Sequence, residues 1–127
     1  MDSTSDNLDV FRDAVDANPF RLDIAAFAIS SYVGENSLDI TEELVRLDDL
    51  SSLVTEPTLD GVFRTLCYEQ GFRGEQTNYY DVDNSYLDLV LNRRCGIPIT
   101  LSVLLLEVGR RVGVPLFGVG MPGHFLV

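Results

Sequence analysis

The run Arg93-Arg94-Cys95-Gly96-Ile97-Pro98, continuing through Ile99-Thr100-Leu101-Ser102-Val103-Leu104-Leu105-Leu106-Glu107-Val108 to Gly113-Val114-Pro115, decides the fold. Pro98 suits the first turn of a helix, where its missing N–H is not needed, and Gly113 and Pro115 stop that helix. Apolar side chains fall on nearly every side between them. Such a helix has to be central and buried, and it is about 22 Å long at 1.5 Å per residue. Downstream, Leu116 to Gly120 reads as a strand, Pro122-Gly123 as a type II turn and His124 to Val127 as a second strand, together an antiparallel β-hairpin. A carboxylate ending an apolar strand at Val127 is costly to bury, so the natural protein is expected to continue and the domain to be truncated at its C-terminal end.

Upstream of the central helix the pattern is helical. Leu8, Phe11, Ala14 and Val15 share one face, and Asn18-Pro19 reads as the cap and first turn of a second helix. That helix carries Ile24, Ala25, Ala28, Ile29 and Tyr32 on one side and stops near Gly34. A third segment spaces Ile40, Leu44, Leu47 and Val54 at helical intervals, with Glu42 and Glu43 near its positive end. A fourth runs from Pro57 to Gln70, with Leu59, Val62, Phe63, Leu66 and Cys67 as its stripe and Gly71 closing it. Residues 71–86 form a polar connection. Ser85 and Asp88 read as a capping box for a short helix over Tyr86 to Arg94. Asp81, Asp83 and Ser85 resemble the start of a calcium loop, but Tyr86 stands where glycine is needed and Asn92 where the bidentate Glu belongs, so no metal is expected.

Composition narrows the function classes. The chain has 127 residues, enough for one core, and its 46% hydrophobic and 23% charged content is globular. No window approaches the roughly 20 apolar residues of a membrane span. Net charge is −11 and all 9 basic residues are Arg, a surface that repels phosphate backbones, so neither nucleic acid nor membrane is an expected partner. The polar, acidic start lacks the marks of a secretory signal, which makes a cytoplasmic location and two reduced thiols the expectation.

The only histidine, His124, begins a strand that should face the leading end of the central helix. A helix N-terminus opposite an imidazole is an arrangement that activates a nucleophile and stabilises an oxyanion. The blocks GFRG at 71–74, YYD at 79–81, NSYL at 84–87, RRCGIPITLS at 93–102 and GVGMPGHFLV at 118–127 carry a further signal. From about residue 60 onward the chain resembles the SirB-type branch of the transglutaminase-like superfamily, which has a papain-related fold. The resemblance implies an α+β class in a single domain over 1–127. In it a helical part (1–70) packs on a papain-like core made of a loop and short helix (71–97) and the buried central helix with its hairpin (98–127).

Active members of that superfamily carry a Cys opening the central helix in a Gly-x-Cys context, a His on the next strands and an Asp on a following one. Counted back from Gly113-Val114-Pro115, the expected Cys falls on Pro98, Gly96 matches the glycine, His124 matches the histidine, and the Asp would lie past Val127. The resemblance therefore implies a catalytically degenerate transglutaminase-like module, acting as a peptide- or protein-binding or regulatory module, that needs no cofactor. Two alternatives stand beside it: a working thiol hydrolase or acyltransferase using Cys95 and His124, and a structural adaptor. Cys95, next to Arg94, is a candidate for a lowered pKa or an ordinary loop thiol. Thr100 and Ser102 offer hydroxyls near the helix start. Arg93 and Arg94 either clamp an anionic ligand or pair with Asp81, Asp83 or Asp88. Tyr80, Asn84 and Tyr86 are candidates to line the groove.

Overall fold

A computed structural model describes residues 3–16, 21–35, 37–75 and 81–114. Helix α1 (Ser3–Asp16) packs on α2 (Leu22–Tyr32), followed by α3 (Ile40–Ser51) and α4 (Leu59–Phe63), which runs without a break into a π-helix (Arg64–Glu69). Strand β1 (Arg73–Gly74) comes next, then a 3-10 turn (Val82–Ser85), α5 (Leu87–Arg93), β2 (Cys95–Gly96) and α6 (Pro98–Arg111).

Local chemistry sets most of these bounds. The Asp39 carboxylate accepts from the N–H groups of Thr41 and Glu42 at 2.9 and 3.3 Å and so caps α3, while Thr58 Oγ1 accepts from Gly61 N at 3.0 Å and caps α4. Pro98 occupies the first turn of α6, and Gly113, at φ +81°, lies just beyond its end, as the sequence leads one to expect.

Helix α6 is the hub. Its Leu101, Leu104, Leu105 and Val108 are fully buried in one core with Phe27 of α2, Leu47 and Leu50 of α3, Val62, Phe63 and Leu66 of the α4–π segment, and Leu87, Val90 and Leu91 of α5. Each such side chain contributes about 1.5–3 kcal/mol. The helix is not buried on every side, however. Ile99 is 68% exposed, and the buried set includes Thr100 and Glu107.

Three further expectations are corrected. The α+β class with an antiparallel hairpin gives way to a mostly helical fold whose described strands are a two-residue parallel pair. Arg73 lies opposite Cys95 and Gly74 opposite Gly96, tied by Arg73 N to Arg94 O (3.0 Å) and Glu75 N to Gly96 O (2.9 Å). The pair is parallel because the connection between its strands includes α5, which returns the chain in the same direction. The hairpin expected over 116–127 and the Asn18-Pro19 cap lie outside the described residues.

On α2 the buried face is rotated from the expected one: Asp23, Ala25, Phe27, Ala28 and Ser30 point in, and Ile29 and Tyr32 are exposed. The Ser85–Asp88 capping box is absent, since α5 starts after Tyr86 with no side-chain cap and the buried Asp88 carboxylate accepts from the Ser30 hydroxyl.

Two uncommon backbone stretches meet beside the parallel pair. The π-helix closes with Gln70 N donating to Thr65 O (2.9 Å), and Gly71, at φ +78°, turns the chain so that Phe72 N reaches Leu66 O (2.9 Å). Across from it Arg94 ends α5 in the left-handed region at φ 60°, which costs about 1–2 kcal/mol for a residue with a Cβ. Its side chain offsets this. Nη1 donates to the Gln70 carbonyl (2.7 Å) and to Gln70 Oε1 (2.8 Å), and the guanidinium lies 5.4 Å from the Phe72 ring centre.

Candidate functional site

At the leading end of α6, extended Ile97 delivers Pro98 into the first turn. The Thr100 hydroxyl donates to the Asn84 carbonyl at 2.7 Å and sits 3.1 Å from the Ile97 carbonyl, fastening the 3-10 turn to the helix. Gly96 is wedged between them. A Cβ there would come within 2.8 Å of Val90 Cγ2 and 2.9 Å of Thr100 Oγ1, so its glycine answers to close approach rather than to backbone torsion. Asn84, Tyr86, Cys95 and Thr100 are all buried around this junction.

Cys95 does not have the surroundings of an activated thiol. Its Sγ donates to Glu75 Oε2 at 3.0 Å. Burial first, and then the bond to Glu75 and that carboxylate's charge, push the thiol pKa up, while Arg73 and Arg93 offset only part of the rise. The shift runs opposite to the lowering that neighbouring arginines suggested. Cys67, on the helical stripe, is likewise pushed up, to about 11, by burial.

The two arginines before α6 part company. Arg93 pairs with Asp83 (3.2 Å) and Asp81 (3.6 Å), the internal ion pairs expected from their proximity in sequence. Arg94 instead reaches Gln70 and Phe72 and lines a cleft of about 440 Å³ with Arg46, Asp49, Leu50, Ser52, Leu53, Gln70, Phe72 and Leu91. Thr100, Asn84, Tyr86 and Cys95 are thus gathered near the head of α6, whereas Arg94 belongs to a separate surface. Tyr80 and His124 lie outside the described residues.

Sequence reasoning missed an ionic knot at the opposite end of α6. Asp23, in the first turn of α2, is fully buried, and its carboxylate accepts from Arg111 Nη2 (2.7 Å), Ile24 N (2.8 Å), Arg21 Nη2 (3.1 Å) and Arg110 Nη2 (3.3 Å). Buried Glu107 accepts from Arg111 Nη1 at 2.8 Å and Arg110 Nη2 at 2.9 Å, and Asp48 of α3 from Arg111 Nε at 2.8 Å. Burial alone would raise the Asp23 carboxyl, but the hydrogen bonds from Arg21, Arg111 and Ile24 outweigh it and hold the group at about 2. The acid sits at a positive helix end and Arg110 and Arg111 at a negative one, so both dipoles favour the arrangement. The available signal was a carboxylate in the first turn of one helix and an arginine pair in the last turn of another.

Among the described residues no group of His, Cys, Asp and Glu side chains is placed to hold a metal ion, and no helix is long and apolar enough to cross a membrane. Asp81, the first residue of the rejected calcium loop, caps the 3-10 turn by accepting from Asp83 N at 3.0 Å.

With that geometry in view, similarity to known proteins decides the family. A sequence model of the transglutaminase-like superfamily matches residues 34–127. The chain belongs to the transglutaminase-like superfamily. Within it, a UPF0162 protein of Xylella fastidiosa is 53% identical over 66 residues, 52% of this chain and 24% of that protein. A UPF0162 protein of Pseudomonas aeruginosa is 36% identical over 109 residues, 82% of this chain and 39% of that protein. F-box only protein 21 of Mus musculus is 45% identical over 69 residues, 54% of this chain and 11% of that protein. This transglutaminase-like chain therefore spans less than half the length of each of these relatives. No solved structure matches it.

Proposed function

We propose that this chain is a catalytically degenerate transglutaminase-like module, of the SirB-type branch, that binds a peptide or protein segment instead of transferring an acyl group. The observation that carries the reading is Pro98 in the first turn of α6, where the superfamily resemblance expects the nucleophile. A prolyl ring has neither a nucleophilic atom nor an N–H for an oxyanion. Loss of the attacking group removes nearly all covalent catalysis while leaving binding intact. His124 then has no thiol at that position to activate.

The rival reading, a thiol hydrolase or acyltransferase using Cys95 with His124, is disfavoured by the buried, Glu75-bonded thiol and its raised pKa. Matching segments inside much longer proteins, 11% of one relative and 24% of another, support a module carried in different chains. A cytoplasmic setting with both thiols reduced accompanies this reading.

Iodoacetamide at pH 6 tests it directly. Cys95 should alkylate no faster than the thiol of an unstructured peptide, because thiolate is the reactive species and this one is suppressed. Labelling tenfold faster than the peptide, lost in Cys95→Ser, would reinstate the enzyme.

A further inference from the structure

The cleft between α3, the end of the π-helix and α5 shares no lining residue with the head of α6, so what it does is independent of Pro98. Its floor is apolar, made of Leu50, Phe72 and Leu91, and Leu53 stands at its edge, 44% exposed. Arg46 in its wall is already neutralised by Glu43 at 2.9 Å and also donates to Asn92 Oδ1 at 2.8 Å.

Arg94 differs. Among the described residues it meets no carboxylate: both of its hydrogen bonds run from Nη1 to neutral oxygens of Gln70. The Nε–Nη2 edge, the one that grips a carboxylate with two parallel bonds, makes none among the described residues. In a chain of net charge −11, such a cation beside an apolar floor is conspicuous. The residues holding it come from the two uncommon backbone stretches, the π-helix exit at Gln70 and the left-handed Arg94 itself, and conformations of that kind gather at functional sites.

We propose that this cleft is a peptide-docking site, with Arg94 gripping a carboxylate side chain and Leu50, Leu53, Phe72 and Leu91 receiving an adjacent apolar one. Asp49 in the lining repels a doubly charged phosphate more than a carboxylate, which favours the carboxylate. The volume, about 440 Å³, lies in the range of ligand pockets and suits a short stretch of an extended segment.

The test is an amide NMR titration of the 127-residue chain with the probe acetyl-Ala-Leu-Leu-Asp-Leu-amide and the same peptide carrying Asn for Asp. The acidic peptide should shift amides at 49–53, 70–72 and 91–94 and bind at least tenfold more tightly than its Asn twin. Arg94→Gln should abolish that preference. Because Arg94 also braces Gln70, a second variant guards against a folding defect: Leu53→Glu, at an exposed edge, should weaken the acidic peptide more than the neutral one. Asp49→Asn should tighten binding. Equal binding of the two peptides, no shifts at all, or shifts confined to 97–101 would each overturn the proposal, the last pointing to the head of α6 instead.

Discussion

Replacing Asp23 by Asn removes the anion around which α2 and α6 are fastened. The variant leaves Arg111, whose side chain is only 10% exposed, with Glu107 and Asp48 as its remaining acids. Breaking one partner out of a buried pair costs about 3–5 kcal/mol, and the two surviving carboxylates place this case near the lower end, about 3 kcal/mol. Acid should reproduce part of the loss. A carboxyl held at about 2 against an ordinary 3.8 contributes stability that is complete above its unfolded pKa and vanishes as pH falls through the folded one. At 1.36 kcal/mol per unit, that contribution is about 2 kcal/mol.

Urea denaturation of both proteins, followed by circular dichroism from pH 6 down to pH 2, reads the gap between them and cancels the other carboxylates. The gap should be about 3 kcal/mol at pH 6, stay level to about pH 5, and then narrow by about 2 kcal/mol towards pH 2. A gap below about 1 kcal/mol at pH 6, or one that does not narrow in acid, would refute the assignment of Asp23 as the organising anion.

Gly96→Ala drives a Cβ to within 2.8 Å of Val90 and 2.9 Å of Thr100, so it should lower stability by about 1–3 kcal/mol in thermal unfolding; an unchanged midpoint would show that the junction has room. Glu75→Gln removes the charge that helps hold the Cys95 thiol protonated and leaves only a neutral amide oxygen as acceptor, and alkylation at pH 8 should accelerate; an equal rate would mean that the carboxylate's charge does not govern it. Pro98→Cys puts a thiol at the positive end of α6, where thiolates are favoured, and should yield a site that iodoacetamide labels at pH 6 at least tenfold faster than Cys95, as read by peptide mass mapping.

The central helix was legible because its punctuation is chemical: proline at the start and glycine after the end act through single backbone positions, whatever surrounds them. The Arg93 ion pairs were legible because their acids lie within about a dozen residues, at Asp81 and Asp83. The face of α2 was misread for the opposite reason. Its inward residues include Asp23 and Ser30, whose burial is supported by Arg111 and Asp88, partners distant in sequence. A hydrophobicity stripe scores both as outward. Strands of two residues are too short to show alternation, so the parallel pair left no trace in the pattern. The π-turns after Phe63 follow a helical stripe that looks ordinary. At the site, Thr100 and Asn84 do meet, but the contact runs from a hydroxyl to a main-chain carbonyl, which residue identity at position 84 does not encode.

All nine of the chain's Lys and Arg positions are Arg, and in the knot beneath α6 the Arg21 and Arg111 groups are held even more firmly protonated than usual, through bonding to Asp23. Guanidinium keeps its proton past pH 12, so alkali finds no lysine ammonium to discharge. One group that base does reach is the partly buried Cys67 thiol. An unfolded Cys67 would ionise near pH 9 while the folded one resists until about 11, so this thiol takes stability away across that interval while the ionic fastening is still intact.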